Sequence, residues 1–328
     1  MTIRLSRLAA IPLALVSLAF GIQAQAQSVY PDKPIRILVG FSPGVAPDIT
    51  SRLLADKFNE TWAKGVVVEN VTGAGGNLAV ERTAKAASDG YTLAMGGNAA
   101  LVINPNLMDK LGYDPVKDFA YIAQIFIVPN ILVVTPDVPA NTIQELVALG
   151  KAKPDYFVAG HAGVGTSQHL GGELFMAMTG VKIQQVPYRG TTAVLPDLMG
   201  GRLNIFFGNI TNVLPLVREG KLRAFGITSR QRSPQIPELP TMEELGFPGF
   251  DATAWFGLMA PAGTPKPIID KLHAETVKVL AQPEVRSRLE GLGVQLVGNT
   301  PEQFAEIVRN ELPMWGKVIK GAGIKMPQ

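Results

Sequence analysis

The sequence predicts an α/β protein of two lobes, each a mixed, mostly parallel sheet flanked by helices. Apolar β-branched runs alternate with segments of helical period, which is typical of sheets covered by helices. Two extended apolar segments lie where a chain would pass between two such units. The length of 328 residues is sufficient for two ordinary domains.

The alternation is clearest in the first third of the chain. The pattern predicts strands at Ile35–Phe41, Val66–Glu69 and Tyr91–Met95, and helices at Ile49–Trp62 and Leu78–Ala87. Apolar residues of the first helix recur mostly at every fourth position, which places them on one helical face. A strand–helix–strand order of this kind favours parallel pairing.

Three further helix starts are predicted from capping boxes, in which a threonine and a residue three positions later each satisfy a free backbone N–H. The pairs are Thr142 with Glu145, Thr241 with Glu244, and Thr300 with Gln303.

The two extended segments define the predicted domain boundaries. Val128–Thr135 and Ala252–Ala260 are apolar and end next to prolines. We expect one lobe from residues 28–127 together with 250–328, and a second lobe from residues 128–249.

The N-terminus has the pattern of a secretory signal peptide. Arg4 and Arg7 precede an apolar run, Leu8–Gly21, and an A-x-A site follows at residues 24–26. The run is about 14 residues long, short of the roughly 20 that span a bilayer. Cleavage after residue 26 leaves 328 − 26 = 302 residues; a retained membrane anchor is the alternative.

Composition excludes several functional classes. The chain has no cysteine, hence no disulfide framework and no thiolate metal site, and we expect neither metal nor cofactor. Without Arg4 and Arg7 the balance is 28 − 27 = +1, and no basic stripe with aromatic residues occurs, so nucleic acid is not an expected partner.

Polar, glycine-containing turns follow five predicted strands, two in the first lobe and three in the second, and four of these turns lead into predicted helices. Ligands of open α/β sheets bind beyond the carboxyl ends of strands, and helix N-termini offer unpaired N–H groups to anions. Any single turn of this type has a plain structural explanation, but five in corresponding places indicate an anion site. The turns are residues 42–48, 96–100, 160–167, 188–192 and 208–212.

An alternative to an anion-binding protein is a periplasmic serine hydrolase. Ser167 lies near His161 and His169 in the sequence, and serine and histidine can form a nucleophilic pair. However, the chain has no G-x-S-x-G, H-E-x-x-H or P-loop motif, which favours a binding protein with no catalytic residues.

Eight segments, in order along the chain, resemble the Bug family, the TctC-like substrate-binding components of tripartite tricarboxylate transporters. They are 30–36 (YPDKPIR), 68–70 (VEN), 73–77 (GAGGN), 89–93 (DGYTL), 165–167 (GTS), 186–190 (VPYRG), 220–224 (GKLRA) and 261–265 (PAGTP).

The resemblance implies a type II periplasmic binding fold with the ligand cleft between the lobes. It implies that a small organic carboxylate is held by Gly44, Ala46, Asp48, Gly165, Thr166, Ser167, Tyr188 and Gly190. The polar turns and their flanking strands add Phe41, Ser42, Asn98, Ala99 and Asn209 as candidate ligand-binding residues.

Some roles remain open at the level of sequence. Asp48 either organises its loop or touches ligand, and Arg189 is expected to point into solvent. Phe41, Phe207 and Trp255 are candidates for an apolar pocket floor, with ordinary core packing as the alternative for each.

Two departures from the family pattern affect the pocket. Val45 stands where family members commonly have glycine, which leaves the loop conformation and the pocket width open. Gly208 stands where some members have an acid that could pair with a ligand ammonium. We therefore expect a ligand without an amino group, such as a dicarboxylate or an aromatic carboxylate.

The resemblance also implies partners and location. We expect a monomer in the periplasm that delivers its ligand to integral membrane transporter subunits, TctA-like and TctB-like. A sensor subunit and an ABC-type binding protein share this fold and differ only in the membrane partner.

Overall fold

Two mixed β-sheets flanked by helices form the part of the chain that this computed structural model describes, residues 30–108 and 110–321. The predicted signal peptide, residues 1–26, lies outside these ranges. No helix in them is both long enough and apolar enough to cross a membrane.

In chain order the strands and helices are β1 (Ile35–Val39), α1 (Ala46–Trp62), β2 (Val66–Asn70), α2 (Asn77–Ala84), β3 (Thr92–Gly97), β4 (Phe119–Val128), β5 (Asn130–Val134), α3 (Ile143–Ala152), β6 (Phe157–His161), α4 (Ser167–Thr179), β7 (Ile183–Pro187), α5 (Thr191–Met199), β8 (Ile205–Asn209), α6 (Ile210–Arg218), β9 (Arg223–Ile227), β10 (Ala254–Pro261), α7 (Lys266–Leu280), α8 (Pro283–Gly291), β11 (Gln295–Leu296) and α9 (Pro301–Gly321). A short π-helical turn, Ala99–Ile103, follows β3.

The first sheet has the order β11-β4-β10-β3-β1-β2 and the second β7-β6-β8-β5-β9. The strand–helix–strand units pair in parallel, as the sequence predicts: β1 with β2 and β3, and β6 with β7 and β8. The strands at the crossings, β10 and β5, pair antiparallel with their neighbours. Both sheets are therefore mixed.

The segments expected to connect the lobes are themselves sheet strands. Strand β4 ends in the first sheet at Val128, and β5 begins in the second sheet at Asn130, so a single proline separates them. The chain returns to the first sheet in β10, whose residues are all buried. Apolar, β-branched sequence at these crossings thus reflects strands buried within each sheet.

Buried apolar side chains form a core that continues from one sheet to the other. The largest cluster includes Phe126 and Phe256 from the first sheet and Ile131 and Phe206 from the second. Phe126 and Phe256 stack with ring centroids 5.1 Å apart. This continuity anchors the two sheets to each other through the crossing strands.

The helix starts follow the capping predictions in two cases out of three. Thr142 and Thr300 each accept a hydrogen bond from the backbone N–H three residues on, at the first turns of α3 and α9. Thr241 and Glu244 make the reciprocal pair of bonds, but residues 242–246 form a turn and not the predicted helix. The capping bonds are local and do not require a helix to follow.

Candidate functional site

A cavity lies between the two sheets at the carboxyl ends of their central strands. Its lining comes from both parts of the chain. The lining residues are Phe41, Val45, Pro47, Asn98, Ala99, Ala254 and Phe256 on the side of the first sheet, and Ala162, Thr166, Ser167, Gln168, Thr191 and Asn209 on the side of the second.

The starts of five helical segments reach this cavity. Lining residues stand at or next to the N-caps of α1, α4, α5 and α6 and of the turn Ala99–Ile103. The first N–H groups of each segment have no partner within the helix and carry partial positive charge. The site is therefore polarised to receive negative charge.

No lysine, arginine, aspartate or glutamate is among the lining residues, all of which lie within the described ranges. About half of them are apolar, and the polar ones carry only hydroxyl or amide groups. The cavity volume is about 30 Å³, room for about two water molecules at roughly 10–15 Å³ each. A larger guest needs the two sides to separate before it can enter.

Asp48 organises the loop between β1 and α1. Its carboxylate, 3 % exposed, accepts hydrogen bonds from Gly44 N–H at 2.9 Å, Asn70 Nδ2 at 2.8 Å and Arg52 Nε at 3.0 Å. Burial raises the pKa of this carboxyl, but the bonds from Arg52, Gly44 and Asn70 outweigh burial and hold the pKa below its ordinary value. Asp48 is not a cavity-lining residue, so the structure supports the loop-organising role.

Two histidines support the loop between β6 and α4. Nδ1 of His161 accepts from Gly163 N–H at 3.2 Å, and Nδ1 of His169 accepts from Gly165 N–H at 3.3 Å. Burial lowers the pKa of both imidazoles, that of His169 to about 3. Both rings are therefore neutral at neutral pH and act as acceptors that hold the loop. Thr166 caps α4 by accepting from the N–H of His169 at 3.4 Å.

The structure brings some of the predicted site residues together in the cavity lining, whereas others are not part of the lining. Those that line it are Phe41, Asn98, Ala99, Thr166, Ser167 and Asn209. Those that do not are Ser42, Gly44, Ala46, Asp48, Gly165, Tyr188 and Gly190. The contribution of each to binding stays a prediction.

The residues behind the cavity shape its walls. The Tyr188 hydroxyl donates to Asp197 at 2.7 Å, away from the cavity, and Arg189 exposes its side chain as expected. Ser42 Oγ donates to the backbone oxygen of Arg189 at 3.3 Å, which links the two sides.

Two glycines of the second side, Gly165 and Gly190, pack closely against Asn104 and Ser42 of the first side. We call these contacts the glycine seam. At Gly165 (φ +78°) an added Cβ would lie 1.8 Å from Oδ1 of Asn104, and at Gly190 (φ +130°) it would lie 2.6 Å from Oγ of Ser42. Both glycines are needed for their backbone conformation and for this approach. The seam can form only where side chains are missing.

Of the three aromatic candidates, only Phe41 reaches the cavity. Phe207 packs in the core with Phe175 and Phe250. Trp255 lies on the opposite face of β10 from Phe256 and donates its Nε1 proton to Glu311 at 2.9 Å. Period-two alternation along the strand explains why neighbouring aromatics separate in this way.

The two departures from the family pattern have different consequences. Val45 has an extended backbone (φ −92°, ψ 163°), which needs no glycine, and its side chain adds apolar surface to the cavity. Gly208 packs against core side chains: an added Cβ would lie 2.3 Å from Cγ1 of Val213 and 2.6 Å from the Phe206 ring. Glycine there reflects core packing, so it gives no information about a ligand ammonium.

Sequence reasoning left out several lining residues, among them Gln168, Thr191, Ala254 and Phe256. Thr191 lies within one of the five polar turns and Gln168 directly follows Ser167, so a wider window would have included both. Ala254 and Phe256 come from the returning strand β10, and nothing local in the sequence indicates that this strand passes under the site.

The two-sheet architecture and the cavity between the sheets define a two-lobed solute-binding protein. The model of the tripartite tricarboxylate transporter family receptors matches residues 50–324, and the chain belongs to this family. It is a binding protein and not an enzyme, so the hydrolase alternative is wrong.

Solved structures with similar chains agree with this assignment. Rpa4515 of R. palustris, determined with adipate, is 33 % identical with a TM-score of 0.86, covering 90 % of this chain and 99 % of that one. The periplasmic binding protein BugD is 34 % identical with a TM-score of 0.85 over 90 % and 99 %. MatC of Rhodopseudomonas palustris, with bound malate, is 34 % identical with a TM-score of 0.83 over 88 % and 100 %.

Asp48→Asn removes the charge that holds the first loop. We expect the free energy of unfolding to fall by about 1–3 kcal/mol at pH 7, because hydrogen bonds to a buried charged group are weakened. The folded pKa is lowered, so the stabilisation is complete above the ordinary aspartate pKa of about 3.9 and is lost as the pH falls through the folded value. Urea denaturation across this pH range measures the difference.

The matched control is Asp56→Asn, an exposed aspartate of the same helix. It should change stability little at any pH, since surface substitutions rarely do. An Asp48→Asn deficit of equal size at pH 7 and below the folded pKa would contradict the role assigned to the charge.

Proposed function

We propose that this receptor captures a small organic carboxylate without an amino group, a dicarboxylate or an aromatic carboxylate, in the cavity between its lobes. It then delivers the ligand to a tripartite membrane transporter. One observation carries the proposal: the starts of four α-helices, together with a π-helical turn, converge from both lobes on a cavity whose lining includes no charged side chain.

Helix starts are suited to a carboxylate. Each N-terminus is equivalent to roughly half a positive charge and stabilises a nearby anion by about 0.3–1 kcal/mol, more where it is partly buried. Several such contributions, with hydroxyl and amide donors, offset the loss of water around the carboxylate. The apolar part of the lining suits the hydrocarbon portion of the same molecule.

The relatives support the choice of ligand class. Rpa4515 was determined with adipate and MatC with malate, both of which are dicarboxylates without an amino group. The lining of this cavity, entirely within the described ranges, includes no aspartate or glutamate that would pair with an ammonium group. A free amino acid would bury its positive charge without a partner, which is costly.

Capture works by closure of the two lobes, residues 28–127 with 250–328 and residues 128–249. The cavity volume of about 30 Å³ requires the lobes to part before a carboxylate enters. The bound anion then draws donors from both sides, and the closed state gains contacts that the open state lacks. Phe41, Asn98 and Ala99 contribute from the first lobe, and Thr166, Ser167 and Asn209 from the second.

Delivery completes the proposal. The N-terminal signal pattern and the likeness to the periplasmic binding protein BugD favour a periplasmic location after signal cleavage. The family assignment as a transporter receptor favours integral membrane subunits, TctA-like and TctB-like, as the partners of a monomeric receptor.

A ligand screen tests the proposed class. Mature protein is mixed with adipate, malate, benzoate, aspartate and glutamate, and melting temperature and calorimetric affinity are measured. We expect at least one of the first three to raise the melting temperature and to bind, and both amino acids to have little effect. Tight binding of aspartate or glutamate with no response to the other acids would overturn the proposal.

Substitution of the second-lobe loop tests the location. Thr166→Ala combined with Ser167→Ala removes two hydroxyls from the cavity wall, and we expect the ligand-induced rise in melting temperature to disappear. Thr142→Ala is the matched control, since Thr142 also caps a helix by accepting from the N–H three residues on, but does not line the cavity. This control should lose about 1 kcal/mol of stability and keep full affinity.

The glycine seam tests closure. Gly165→Ala places a methyl group against Asn104, so the lobes cannot approach fully and ligand affinity should fall by more than tenfold, about 1.4 kcal/mol. Gly201→Ala is the matched control: its φ of +75° is as unfavourable for alanine, but nothing lies within 4 Å of the added atom. Equal affinities of the two variants would show that closure does not use the seam.

A further inference from the structure

A chain of amide side chains, buried at Gln168 and Asn130 and half-buried at Asn209, runs from the cavity wall to the point where the polypeptide crosses between the lobes. Gln168 Oε1 accepts from Ala162 N–H at 2.8 Å, and Gln168 Nε2 donates to Asn209 Oδ1 at 3.2 Å. Asn209 Nδ2 donates to Asn130 Oδ1 at 2.7 Å, and Asn130 Nδ2 donates to the backbone oxygen of Ala252 at 2.7 Å.

We call the hydrogen-bonded side chains of Gln168, Asn209 and Asn130 the amide relay. Backbone groups at its two ends fix the direction of every hydrogen bond in it. A backbone N–H can only donate, so Gln168 must present its oxygen to Ala162. A backbone carbonyl can only accept, so Asn130 must present its nitrogen to Ala252. With both ends determined, the amide of Asn209 has a single orientation that satisfies its two neighbours.

The fixed direction leaves two donor protons of the cavity wall without a partner in the part of the chain that the structure describes. Gln168 Nε2 also donates to Thr191 Oγ1 at 2.7 Å, so the hydroxyl proton of Thr191 is left over. Among the described residues it makes no hydrogen bond as a donor, nor does the second Nδ2 proton of Asn209. Thr191 and Asn209 both line the cavity, and both therefore offer a proton to it.

Asn130 is the one member of the relay that does not line the cavity. It is fully buried and is the first residue of β5 after the crossing. Its backbone N–H donates to Thr228 Oγ1 at 3.0 Å, and the Thr228 hydroxyl donates to the same Ala252 oxygen at 3.2 Å. From the other lobe, Asn98 Nδ2 donates to the adjacent Thr253 oxygen at 2.9 Å.

We propose that Asn130 is a positioning residue for specificity: by holding the amide of Asn209 in one orientation, it makes the second-lobe wall a set of donors that selects carboxylates over the corresponding amides. This inference rests on the proposed function and refines it. A carboxylate accepts with both of its oxygens and can take a proton from Thr191 and from Asn209 together, whereas an amide has one accepting oxygen and turns an N–H toward one of these donors.

The experiment compares Asn130→Ala with wild type by calorimetry, using adipate against adipamide and malate against malamide as probes. In the alanine variant only the 3.2 Å bond from Gln168 Nε2 still holds the amide of Asn209, so this amide can turn and accept from a ligand N–H. We expect the ratio of carboxylate affinity to amide affinity to fall by about tenfold, the effect of roughly one hydrogen bond. If the alanine variant does not fold, Asn130→Ser, which leaves a smaller polar group in the space, is measured in the same way.

Asn204→Ala is the matched control. The Asn204 side chain also bridges a backbone donor and a backbone acceptor of the second lobe, accepting from Val158 N–H at 2.9 Å and donating to the Tyr156 oxygen at 2.7 Å. It does not line the cavity. Its removal should lower stability and leave the carboxylate-to-amide ratio at the wild-type value.

The outcomes separate the two proposals. If wild type prefers carboxylate and Asn130→Ala keeps the same ratio, or loses both ligands equally, the positioning role of Asn130 is overturned while the proposed function stands. If wild type binds carboxylate and amide equally, the role of Asn130 also fails while the proposed function stands; if wild type binds none of the non-amino carboxylates of the ligand screen, the proposed function fails, and the role of Asn130 fails with it.

Discussion

The main physical constraint on this receptor is that its cavity must bind the negative charge of a carboxylate with no lysine or arginine side chain in the lining. Water around a carboxylate must be replaced by donors that already point at the anion, because no mobile lysine or arginine lines the cavity to adapt to it. Helix starts and oriented amides supply such donors. They are useful only if loops from two separate sheets are placed within a few ångströms of one another.

Most of the polar residues around the cavity contribute by fixing those loops. In the first loop the Asp48 carboxylate accepts hydrogen bonds from Gly44, Asn70 and Arg52. In the second loop neutral His161 and His169 accept from glycine N–H groups. Hydrogen bonds from Arg52, Gly44 and Asn70 hold the pKa of Asp48 low, and burial lowers the pKa of both imidazoles. The charge of Asp48 thus lies outside the cavity lining, and the lining itself includes no charged side chain.

The same arrangement connects binding to the crossings between lobes. Glycines at the seam allow the loops to approach, and the relay from Gln168 to Asn130 ends on the returning segment beside Ala252. The cavity wall that contains Gln168 and Asn209 is thus joined by direct hydrogen bonds to strand β5 and to the segment that returns to the first sheet.

The sequence by itself determined the helices and strands, the five polar turns and the family, because hydrophobic period, capping residues and glycine are local properties. It also indicated that Thr166, Ser167 and Asn209 lie at helix starts. The tertiary structure alone decided that Asp48 and Tyr188 hydrogen-bond to residues outside the cavity lining, that Phe256 lines the cavity while Trp255 does not, and that Asn130 bonds the amide of Asn209 across the paired strands β5 and β8. These outcomes depend on strand register and on contacts between residues far apart in the chain, which no local pattern records.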